Sequence, residues 1–130
     1  MSGRFLQPDH SKGDADTIGG YAAVHARPAA FEGADGFSYS VELSADETGV
    51  RERPWGAFFL FLRWRRVGAQ GVEGHLESDF LAWGDSRDAA LAALGAFRLS
   101  DVKRELDRLI AAQRGASERR WWDAMREDDA

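Results

Sequence analysis

The segment His75-Leu-Glu-Ser-Asp79 sets an imidazole and two carboxylates at alternate positions, and Arg63-Trp-Arg65 does the same with two guanidinium groups. On an extended chain, residues i, i+2 and i+4 project to one side with Cα atoms about 6.5–7 Å apart, so each set shares a face. Three kinds of chemistry follow from that spacing. His75 and a carboxylate could hold a metal ion, but they would need a further ligand, and His25 is the only other histidine beyond the first twenty residues. Glu77 or Asp79 beside His75 would suit general acid–base work, with Arg63 or Arg65 holding an anionic substrate group. In the third arrangement these acids are simply ion-pair partners for the arginines across a hairpin. That is the common case and takes precedence, so no catalytic residue, metal or cofactor is assigned.

Other catalytic patterns are missing. Neither G-x-x-x-x-G-K-[ST], G-x-G-x-x-G nor G-x-S-x-G occurs, and the absence of cysteine excludes disulfides, thiolate zinc sites and thiol catalysis. Ser78 alternates away from His75 and Asp79, which rules out a hydrolytic triad built on this segment. The basic and aromatic run Arg63-Trp-Arg-Arg66 is divided between two faces by the same alternation. With a formal charge of -5 and a pI near 5.2, nucleic acid is not expected as a partner. Arg119-Arg-Trp-Trp122 reads as a packing or subunit contact, since Asp123, Glu127, Asp128 and Asp129 would repel an anionic membrane.

The elements that must carry these residues follow from periodicity. The 130 residues, 44% hydrophobic, suffice for one domain with its own core. Residues 1–20 hold few large apolar groups and are expected to form a disordered tail, leaving 21–130 as a single α+β domain. A short strand over Tyr21–Ala26 ends at Pro28, and Asp35-Gly36 supports a turn. Phe37–Ser44 alternates Phe37, Tyr39, Val41 and Leu43 with Ser38, Ser40, Glu42 and Ser44, the pattern of a half-buried strand. A polar loop over Ser44–Pro54 leads into two long strands, Trp55–Arg66 and Val72–Trp83, paired as a hairpin. Helices are predicted over Arg87–Leu94, capped by Asp85 or Ser86, over Asp101–Gln113, and possible over Ser117–Glu127. The step Gly84-Asp-Ser-Arg-Asp-Ala-Ala-Leu91 resembles the sheet-to-helix junction of small HicB-type antitoxin domains. It spans eight residues, is chiefly a capping signature, and implies a helix start there and no activity.

The fold class is therefore α+β, a four-stranded antiparallel meander followed by two or three C-terminal helices packed on one sheet face. The helices are expected over Gly56, Phe58, Leu60, Leu62 and Trp64, with Leu76, Phe80 and Ala82 from the partner strand. The opposite face would then present Trp55, Phe59, Phe61, Arg63, Arg65, His75, Glu77 and Asp79, a mixture of rings and charges suited to a ligand or partner. The expectation is a non-enzymatic interaction or ligand-binding module acting through that face, cytoplasmic, off the membrane, and paired as a homodimer. The alternative is a small enzyme or metabolite-binding protein using Glu77 or Asp79 with His75 and Arg63 or Arg65.

Overall fold

The computed structural model describes residues 7–64 and 71–128. The β-strands are β1 (Ala30–Glu32), β2 (Ser38–Val50), β3 (Arg53–Trp64), β4 (Val72–Glu77) and β5 (Ala82–Gly84), and the helices are α1 (Ile18–His25), α2 (Arg87–Gly95) and α3 (Leu99–Asp128). The strands form an antiparallel sheet in the order β1-β2-β3-β4, with β5 also on β3, so the α+β meander is present.

The β2–β3 hairpin is the frame. Val41 pairs with Phe61, Leu43 with Phe59 and Ala45 with Ala57, and the ladder continues to Glu47 and Trp55 before a bulge ahead of the Val50–Arg53 pair. The polar stretch expected to be a loop is therefore mostly strand, because polar residues are at ease on an exposed edge once a partner supplies the ladder. Gly49, at φ 79, helps close the turn.

One further expectation is corrected. Tyr21–Ala26 is not a strand: it lies in α1 and the residue that ends it, with Thr17 Oγ1 capping Gly20 N at 3.0 Å and Ala26 in the left-handed region at φ 54. Among the described residues ahead of α1, a 3-10 turn forms at His10–Lys12, and Asp9 N donates to Val24 O at 2.9 Å. Asp16 O in turn accepts from Leu99 N at 2.9 Å. Gly19 and Gly95 let α1 and α2 cross with their backbones in contact, since a Cβ on Gly19 would stand 3.0 Å from Gly95 Cα.

The Val72–Trp83 segment is interrupted. Ser78–Leu81 leaves the strand path between β4 and β5, anchored by Ser78 N to Phe59 O (3.0 Å) and Leu81 N to Ala57 O (2.8 Å). Ser86 caps α2 as predicted, its Oγ accepting from Ala89 N at 3.1 Å. The second and third predicted helices are one, because helical geometry continues through Gly115.

The core lies between the sheet and the helices. Tyr39, Val41, Ala57, Phe59 and Phe61 meet Ala90 and Leu94 of α2 and Val102, Leu106 and Ile110 of α3. Those three α3 residues fall at i, i+4 and i+8, one stripe of the helix. Asp107 Oδ1 accepts from Ala34 N at 2.9 Å, which pins α3 to the turn before β2.

Candidate functional site

The face of β3 that the helices cover is the reverse of the one predicted. Phe59 and Phe61 are 0% exposed, and Phe59 meets Phe97 edge-on with ring centroids 5.8 Å apart. Trp55 packs partly buried against the same core, and Arg63 belongs to the same side. β3 is apolar on both faces, so its own alternation cannot say which is covered. β2 decides it: its apolar row, Tyr39, Val41 and Leu43, stands beside Arg63, Phe61 and Phe59, while Ser40, Glu42 and Ser44 stand beside Leu62, Leu60 and Phe58.

The register of β4 separates the nominated residues further. Gly74 pairs with Arg63, His75 with Leu62, and Glu77 with Leu60, with an irregularity between the Arg63 and Trp64 pairings. His75 and Glu77 therefore share the outer face with Leu60 and Leu62, away from Arg63. Asp79 lies in the β4–β5 connector, and Arg65 lies outside the described residues. The acid–base arrangement that needs Arg63 beside His75 and Glu77 is not assembled.

Arg63 instead joins a polar group at the helix-side end of the sheet. Its guanidinium lies 4.8 Å from the Phe37 ring centre, reaches Glu73 at 3.9 Å, and passes over Gly74, where a Cβ would sit 3.2 Å from Nη2. Beside it Tyr39 Oη donates to Asp35 Oδ2 at 2.6 Å. Burial, and then the bond to Asp35, push the Tyr39 hydroxyl up to about 12. An open cleft of about 340 Å³ adjoins this group, lined by Phe37, Arg63, Gln113, Arg114 and Ser117 among others.

The outer face has a different composition from the one expected. Phe58, Leu60 and Leu62, each partly buried, and Trp64, 39% exposed, run up its centre as a column. Ser40, Glu42, Ser44 and Asp46 border it on β2, and His75 and Glu77 on β4. Trp64 Nε1 donates to Ser40 Oγ at 2.9 Å, which holds the indole across the sheet. Phe80 folds over Gly56 against Phe58, and beside them an open cleft of about 250 Å³ is lined by Asp46, Phe58, Glu77, Ser78, Asp79 and Phe80.

A second exposed surface is the far half of α3. Beyond Ile110 the helix runs out from the core, with Trp121 and Trp122 each 57% exposed and Met125 42% exposed. The two indoles meet edge to face, their centroids 5.0 Å apart.

The chain matches no protein-family profile, no curated protein and no solved structure. Among the described residues no helix is long and apolar enough to cross a membrane.

Proposed function

We propose that this protein is a non-enzymatic interaction module that acts through the outer face of its sheet and pairs there with a second copy, in a reducing, cytoplasmic setting. The single observation that supports it is the column Phe58, Leu60, Leu62 and Trp64, which α1, α2 and α3 leave uncovered. Contiguous apolar surface rimmed by polar groups is the composition of a contact site. The rim carries carboxylates from Glu42, Asp46 and Glu77, none in an ion pair among the described residues. Acids of that kind favour a basic partner surface.

Light scattering on the wild type and on a Leu60→Asp, Leu62→Asp variant tests this. The expected result is a dimer mass for the wild type and a monomer mass for the variant, with unchanged far-UV circular dichroism. A monomeric wild type, or a variant that stays dimeric, overturns the proposal.

A further inference from the structure

We infer that the free half of α3 is what the outer face receives: residues 111–126 of each copy lie along the sheet of the other. This rests on the interaction reading above and names the element that fills the site. Three observations converge on it.

The first is shape. Sixteen helical residues span about 24 Å at 1.5 Å per residue, and the column from Phe58 to Trp64 spans about 20 Å of strand. The second is apolar complementarity. At about 100° per residue, Trp121, Met125 and Trp122 fall within one arc of about 100°, the width of a core-facing stripe. Among the described residues nothing buries that arc, and a lone helix of this length is marginal in water.

The third is charge. Residues 111–126 carry Arg114, Arg119, Arg120 and Arg126 against Glu118 and Asp123. Arg126 pairs with Asp123 at 3.9 Å within the helix, while Arg114 and Arg119 form no ion pair among the described residues. The receiving face offers Glu42, Asp46 and Glu77, equally unpaired. A basic, tryptophan-bearing arm thus meets an acidic, apolar sheet face of its own sequence. A two-fold axis makes the exchange reciprocal, so that both arms and both faces are covered.

Charge reversal on separate copies tests the pairing. One chain carries Arg114→Glu and Arg119→Glu, the other Glu42→Arg and Glu77→Arg. Each alone sets like charges against like and is expected to dissociate at least ~10-fold more readily than wild type; an equimolar mixture restores both contacts and is expected to dimerise within ~3-fold of it. Because the chain has no cysteine, Leu62→Cys in one copy and Trp122→Cys in another can be joined specifically by a flexible bis-maleimide, and the mixed product should dominate. If the mixture stays monomeric, or Trp122→Cys joins only to itself, the arm does not fill this face. If Leu60→Asp, Leu62→Asp breaks the dimer while reversing the arm leaves it intact, the inference falls and the sheet-face reading stands. A monomeric wild type removes both.

Discussion

The ring of Phe80 occupies the space over Gly56 that any side chain there would need, and it meets Phe58 with ring centroids 6.0 Å apart. A Cβ at position 56 would run into three atoms of that ring. The close approach carries the β4–β5 connector back across the outer face.

Gly56→Ala is expected to cost about 1–3 kcal/mol, the range for forcing a methyl into a filled site. In the Phe80→Ala background the same change should cost much less, because the obstructing ring is gone. Urea unfolding of both singles and the double variant measures the coupling, and additive costs would contradict the contact.

The two sides of β3 should respond oppositely to charge. Phe61→Asp buries a carboxylate in the core and is expected to prevent folding, and Phe61→Ala to cost about 3–5 kcal/mol. Leu62→Asp, one residue on, should fold, with a loss below about 1.5 kcal/mol. Soluble yield and circular dichroism of the pair distinguish the faces directly.

Ser78 is a buried polar residue whose hydroxyl is used twice. Its Oγ accepts from Phe59 N at 2.9 Å and donates to Asp79 O at 2.8 Å. Ser78→Ala leaves the Phe59 amide without that acceptor and is expected to cost about 1–3 kcal/mol. Hydrogen exchange at Phe59 N should accelerate by a matching factor.

Tyr39 predicts an alkaline limb of stability. Its hydroxyl is held near 12 in the fold, first by burial and then by Asp35, against about 10 in the unfolded chain. A raised folded value means that the contribution is complete below pH 10 and is lost between about pH 10 and 12. The loss amounts to roughly 2–3 kcal/mol, from about 1.4 kcal/mol per unit. Tyr39→Phe should remove that limb, which unfolding midpoints measured across pH 9–12 would show.

The first half of β2 and the start of α2 are legible from sequence, because strict alternation over Phe37–Ser44 marks a strand and a serine before an acidic, alanine-rich turn marks a helix start. α1 is not. Its Gly, Ala and Val residues carry no helical period, and the Thr17 cap lies inside a stretch whose composition suggests a tail. Of the candidate site, alternation makes one relation legible: His75 and Glu77 share a face, which is the outer one. Phe59 and Phe61 lie on the opposite face, and because β3 is apolar on both sides only its pairing with β2 distinguishes them. The Arg63-to-Gly74 register likewise depends on the irregularity in the β3–β4 ladder, which no local preference in Val72–Glu77 announces.

β1 lines only Ser38–Ser40 of β2, with one more bond from Val41 N to Ala29 O, so from Glu42 onward one flank of a thirteen-residue strand has no neighbour among the described residues. Bare amides and carbonyls along such a margin are a template on which a stranger's backbone can zip. Glu42, Asp46 and Glu47 post negative charge along it, and repulsion between like margins opposes the joining of separate molecules there. Three acids on a single strand thus stand against edge-to-edge pairing between copies.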